Sequence, residues 1–136
     1  MNLRLHHIGH VVENIGEELD RYQTMGFTVD RKVYRDEAHG VSVGKITMPG
    51  NIYIELLTPL SDASPIASFA KSGGGYHHIC FEADDMDAAT QEFIAHGAFY
   101  LSHPLPSVWD DRHVCFLGTP HKDIIELITH ASYESF

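Results

Sequence analysis

What most constrains this chain is a repeat. Leu5-His6-His7-Ile8-Gly9 is echoed by Tyr76-His77-His78-Ile79-Cys80, so that His7 corresponds to His78. Ile54-Glu55-Leu56 returns as Ile125-Glu126-Leu127, and Gly26 returns as Gly97, each after the same 71 residues. A shift held constant from strand to helix end to strand identifies one supersecondary unit used twice. It singles out four polar residues: His7, Glu55, His78 and Glu126.

Each copy reads as a strand, a helix and three further strands. Residues 3–12 are apolar and β-branched enough for a strand, and alternation puts His7, Gly9 and Val11 on one face and Ile8, His10 and Val12 on the other. His10 then reads as a core-side histidine with a hydrogen-bond partner. Asn14 and Glu17 have capping-box spacing. The helix after them carries Ile15, Leu19 and Tyr22 on an apolar stripe, with Met25 near its end, and Gly26 is a left-handed stop. The second copy repeats the plan, with Asp85 as cap, Met86, Ala89 and Phe93 on the stripe and Gly97 as stop. Strands are expected over 27–35, 41–48 and 52–58, with a turn at Pro49-Gly50-Asn51. Their weaker counterparts lie over 99–102, 113–117 and 123–129.

Module one covers about 1–60, a linker about 61–74 and module two about 75–136. The linker predicts a short helix over 65–70 with Pro65 in its first turn. Ser72-Gly73-Gly74-Gly75 follows it as a connector or as the hinge of a lid. A copy of about 60 residues is marginal as an independent core. The expected architecture is therefore one α+β domain, with two tandem βαβββ modules forming a curved mixed sheet around a metal-binding cleft.

Composition excludes several classes of partner. A formal charge of −10, with no basic run longer than Arg31-Lys32, argues against nucleic acid and anionic membranes. No apolar run approaches a membrane span. The strand pattern begins within three residues of the N-terminus, leaving no room for a signal peptide. Cys80 and Cys115 give no disulfide framework and suit a reducing cytoplasm. Of the eleven histidines, His39, His103, His113, His121 and His130 sit in loops or near strand ends and read as exposed.

A carboxylate amid an apolar strand is costly unless it is paired or bound to a cation. Glu55 stands among Tyr53, Ile54, Leu56 and Leu57, and Glu126 among Ile124, Ile125, Leu127 and Ile128. Two such residues at equivalent places, each matched by a histidine, suit a divalent transition metal: Zn, Mn, Fe, Co or Ni. Four protein donors would leave about two open positions in a six-coordinate site. His6 and His77 repeat too but point the other way, and read as supporting or surface residues. Cys80 shares the His78 face and reads as a pocket wall rather than a ligand.

With these residues in place, the chain resembles the vicinal oxygen chelate superfamily, which includes glyoxalase I, methylmalonyl-CoA epimerase and extradiol dioxygenases. Ile54-Glu55-Leu56-Leu57-Thr58-Pro59-Leu60, Ser64-Pro65-Ile66-Ala67, His77-His78-Ile79-Cys80-Phe81-Glu82 and Asp84-Asp85-Met86-Asp87-Ala88-Ala89 resemble the epimerase branch. The resemblance implies that His7, Glu55, His78 and Glu126 are the metal ligands. It departs from that branch at Ser107–His113 and at Phe116–Lys122, where recognition of a substrate carboxylate and acyl group is expected.

The function read from these features is removal of a proton beside a carbonyl, through an enolate stabilised by the metal. Glu126 is the expected base, and the second acid–base group is Glu37, His39 or Glu55. The substrate is a small molecule, an acyl-CoA or a thiol adduct, and the oligomeric state is left open, a homodimer included. Two alternatives stand beside the epimerase: a glyoxalase I-type lyase, and a non-catalytic binding or resistance protein of the same fold.

Overall fold

The structure is a computed structural model, and it describes residues 1–108 and 110–129. Trp109 of the variant loop and His130, read as exposed, lie outside the described residues. The elements follow in the order β1 (Leu3–Val11), α1 (Ile15–Thr24), β2 (Thr28–Asp36), β3 (Val41–Met48), β4 (Ile52–Pro59), α2 (Ala67–Lys71), β5 (Gly75–Ala83), α3 (Met86–Ala95), β6 (Phe99–Tyr100), β7 (Leu105–Pro106), β8 (His113–Gly118) and β9 (Ile124–Thr129). The class is α+β, and the βαβββ plan is present twice, with α2 between the copies and β7 inserted in the second. The described residues form two compact units: residues 7–77, and residues 1–6 with 78–108 and 110–129.

In the first unit the strands run in the order β2-β3-β4-β1. β2, β3 and β4 are antiparallel, and β1 joins β4 in parallel. Asn14 starts α1 by accepting a hydrogen bond from the Glu17 amide at 3.0 Å. Gly26 ends it at φ +99°, a conformation that costs glycine little. Ile15 and Leu19 pack on Ile46 and Leu56, with Val12, Tyr22 and Ile54 around them. Met25 does not share this stripe and is 61% exposed. At 3.6 residues per turn it lies roughly 80° round the helix from Ile15.

β3 passes so close beneath α1 that a Cβ on Gly44 would lie 2.6 Å from Ile15 Cγ2. His10 stacks on Tyr76 with ring centroids 4.7 Å apart. Its buried Nδ1 has no hydrogen-bond partner among the described residues, so stacking replaces the expected polar contact there. Pro65 lies in a turn, and α2 begins only at Ala67. Gly73, Gly74 and Gly75 all have positive φ, and a Cβ on Gly74 would meet the Val11 carbonyl oxygen at 2.6 Å. These glycines hold a specific path along β1, which fits the connector reading.

In the second unit β5 and β9 are parallel, β9 and β8 antiparallel, and the short β6 and β7 both pair with β8. Asp85 accepts from the Ala88 amide at 3.0 Å, and Gly97 has φ +103°. The repeat thus extends to the hydrogen bond that starts each helix and the backbone angle that ends it. Met86 and Ala89 pack on Ala83, Cys115, Leu117 and Leu127. The expected strand over 99–102 shrinks to two residues. Leu101 and Ser102 both donate their N–H to the Phe116 carbonyl, at 2.8 Å and 3.2 Å, so one-to-one pairing ends after Tyr100.

Two consequences are measurable. Gly44→Ala would overpack the α1 interface and should lower stability by roughly 1–3 kcal/mol in denaturant titration. Burial pushes the Cys115 thiol up from its ordinary pKa; a Thr90 hydrogen bond opposes this, and the nearby Glu126 and Asp87 charges reinforce it. Because the thiolate is the reactive form, Cys115 should resist alkylation at neutral pH until the protein unfolds, as read by mass spectrometry.

Candidate functional site

The first histidine–carboxylate pair comes from the parallel ladder of β1 and β4. Its register sets Tyr53 beside His7 and Glu55 beside Gly9, on the sheet face turned away from α1. Gly9 adds no side chain next to Glu55. His7 is 2% exposed and Glu55 is 9% exposed, and His7 Nε2 stands 3.4 Å from Glu55 Oε2.

The second pair is built the same way from β5 and β9. Cys80 stands beside Glu126, as Gly9 stands beside Glu55. His78, two residues before Cys80, shares its face. His78 Nε2 lies 3.1 Å from Glu126 Oε1, and both residues are buried. The edge of Phe116 meets the His78 ring at 5.2 Å. Cys80 is fully buried against Val114 and Ile128, as a wall residue would be.

The chemistry of each pair fits a transition metal. Nitrogen and oxygen donors each about 2.1 Å from one ion stand about 3.0 Å apart at a right angle and about 3.4 Å apart at the tetrahedral angle. The observed separations of 3.1 Å and 3.4 Å match this bite. Imidazole and carboxylate together suit Zn, Mn, Fe, Co or Ni. A bound cation would also offset the cost of burying each carboxylate.

Other histidines and acids fall elsewhere. Glu37 is exposed and pairs with Arg35 in the turn after β2. His39 is not simply exposed, since its Nδ1 bonds Asp36 at 2.8 Å. That turn precedes Val41, which lies four residues along β3 from Lys45, the residue opposite Glu55. At about 3.3 Å per residue, Val41 stands roughly 13 Å along the strand from Lys45. His77 meets the edge of Phe69 at 5.1 Å. His6 Nε2 lies 3.4 Å from Arg112 Nη2.

Two features escaped the sequence reading. Arg112, in the variant loop, donates to Glu82 at 2.7 Å and to Asp110 at 2.9 Å, while Glu82 also pairs with Arg4. Ser107 N–H donates to the Arg112 carbonyl at 2.8 Å and closes the loop. The second feature is Lys45. It pairs across the ladder with Glu55, and its ammonium lies 4.1 Å from the centre of the Tyr53 ring. A lysine inside the alternating stretch Val41–Met48 was the available signal.

The chain is similar to several known proteins. An ethylmalonyl-CoA/methylmalonyl-CoA epimerase of Cereibacter sphaeroides is 39% identical over 109 residues, covering 77% of this chain and 79% of that protein. The mitochondrial methylmalonyl-CoA epimerase of Homo sapiens is 39% identical over 92 residues, covering 65% of this chain and 51% of that protein. A Streptomyces coelicolor methylmalonyl-CoA epimerase, solved in complex with 2-nitronate-propionyl-CoA, superposes with a TM-score of 0.81 at 28% identity, covering 95% of each chain. Residues 6–116 match a single superfamily. The chain belongs to the glyoxalase/bleomycin resistance protein/dioxygenase superfamily.

Proposed function

We propose that the chain is a metal-dependent epimerase of a 2-substituted malonyl-CoA thioester, with His7, Glu55, His78 and Glu126 together holding one divalent transition metal. The observation that carries this reading is the buried histidine–carboxylate pair built at the same ladder register in both copies. Relatives named as epimerases at 39% identity support the reaction over a thiol-adduct lyase or a sequestering protein. The Streptomyces coelicolor complex supports an acyl-CoA as the substrate class. No described helix is long and apolar enough to cross a membrane. Cys80 and Cys115 form no disulfide, which is compatible with the cytoplasm as the place of action.

When bound, the ion would supply Lewis-acid polarisation of the thioester carbonyl. The protein's own part is the movement of a proton. A Glu126 carboxylate oxygen accepts the α-proton, and the C–H electron pair passes toward the thioester oxygen. Return of a proton to the opposite side of the carbon inverts the centre. Glu37, His39 and Glu55 are the groups considered for that return.

Protein purified without chelator should carry about one transition metal per chain. His7→Ala with His78→Ala should remove it while the circular dichroism of the fold persists. Full retention of metal in the double variant would refute the ligand assignment.

The two glutamates should separate under deuterium exchange. Glu126→Gln should keep much of the metal, because an amide oxygen still coordinates. It should also slow α-proton exchange of methylmalonyl-CoA in deuterated water by roughly 10²-fold or more. Glu55→Gln should be milder. Wild-type exchange rates in Glu126→Gln would remove it as the base, and absence of exchange in wild type would remove the epimerase reading.

A further inference from the structure

We propose that Arg112 is a positioning residue for the second histidine–carboxylate pair: by bridging β5 and β9 it holds the alignment that sets His78 near Glu126. It acts through the two strands rather than on the reacting atoms, and the inference rests on the assignment of His78 and Glu126 as metal ligands above.

The contacts are the first ground. Arg112 immediately precedes β8, and its Nη1 donates to Glu82 on β5 at 2.7 Å. The same nitrogen stands 3.5 Å from the carbonyl oxygen of Thr129, the last residue of β9. Glu82 is the ladder partner of Ile128, so one guanidinium spans the two strands at a single level. Asp110 aims it, accepting from Arg112 Nε at 2.9 Å and from the Arg112 amide at 2.9 Å. The next amide, that of His113, donates to Thr129 Oγ1 at 3.2 Å. The Arg112 and Glu82 side chains are each only 13% exposed, so the pair is largely shielded from solvent.

The period of two explains why such a bridge would fix alignment. A slip of β5 by one residue turns Glu82 to the other face, and the burial pattern opposes it. A slip of two residues keeps every face, and the neighbours Ile124, Ile125, Leu127 and Ile128 along β9 are nearly interchangeable. Such a slip would carry Glu82 by roughly 7 Å. In one direction Cys80 would take its place, and Arg112 would lose its carboxylate on β5. In the other, Glu82 would enter the apolar contact with Val114 and Ile128 that the fully buried Cys80 now makes. The ion pair thus opposes the displacement that alternation tolerates. Buried ion pairs contribute little net stability over apolar replacements, and fixing register is their best-attested use.

The second ground is a break in the repeat. Standing 71 positions before Glu82 and Arg112 are Val11 and Val41, which are 2% and 6% exposed. The ladders are equivalent here, since Val43 faces Leu57 as Val114 faces Ile128. The fold therefore accepts apolar residues at this level, and the charges are an addition of the second copy. That copy also has less sheet beside it. β3 lies against the nine-residue β2, whereas β8 has only the two-residue β6 and β7. Where the first copy has a long outer strand, the second has a guanidinium.

The competing role for Arg112 is to staple its own loop through Asp110 alone, and the two roles differ in which amides they protect. The test is amide hydrogen exchange by mass spectrometry, with Co²⁺ titration of the metal-depleted protein, on wild type, Arg112→Met and the double variant Glu82→Val with Arg112→Val. Glu82 keeps its pairing with Arg4 in Arg112→Met. The double variant copies the valines of the first copy and keeps the test open should Arg112→Met fail to fold. Arg112→Met should speed exchange across 75–83 and 124–129 and weaken Co²⁺ binding by roughly 10-fold, the lower end of what groups behind metal ligands contribute. The double variant should be folded by circular dichroism, with the same weakening and an altered visible spectrum of bound Co²⁺. Faster exchange confined to 107–112, or wild-type Co²⁺ affinity in a folded double variant, would overturn the proposal. Wild type that binds no Co²⁺, while Arg112→Met still loosens both strands, would instead remove the ligand assignment and leave the alignment role in place.

Discussion

A carboxylate in the middle of an apolar strand must be given a partner, and this protein meets that demand twice. Glu55 and Glu126 stand where the surrounding sequence would otherwise place another isoleucine or leucine, and each faces an imidazole within 3.4 Å and 3.1 Å respectively. The remainder of each unit serves that juxtaposition. A parallel ladder sets the register, and a capped helix seals the opposite face with Ile15 and Leu19 in one copy and Met86 and Ala89 in the other. Gly9 in one pair and Cys80 in the other stand beside the carboxylate without crowding it. The histidine–carboxylate separation is the quantity that the fold holds constant between copies.

Much of this was legible before any coordinates. Alternation put His7 on the face opposite Ile8, His10 and Val12, because a strand has a period of two. The caps at Asn14 and Asp85 and the stops at Gly26 and Gly97 follow from the unpaired amides and carbonyls that every helix end must satisfy. These are local rules, and they act within a few residues of where they are read. The superfamily resemblance rested on the same residues and was confirmed over 6–116.

What was not legible depends on partners distant in sequence. Lys45 acquires meaning only when the ladder sets it opposite Glu55, and Arg112 only when the variant loop folds back on Glu82. β6 ends early where the Leu101 and Ser102 amides share the Phe116 carbonyl, a pairing that exists only once β8 lies beside it.

The parallel ladders carry a further consequence. β1 and β4 are not joined by a tight turn, so no hairpin loop fixes their alignment, and the same holds for β5 and β9. A slip of one residue would turn Glu55 or Glu126 onto the helix face and leave the facing imidazole without its carboxylate. An ion held between the two side chains would therefore act as a proofreader of strand alignment, binding only the register in which both donors meet. Metal affinity would then report the alignment of the strands as well as the identity of the donors.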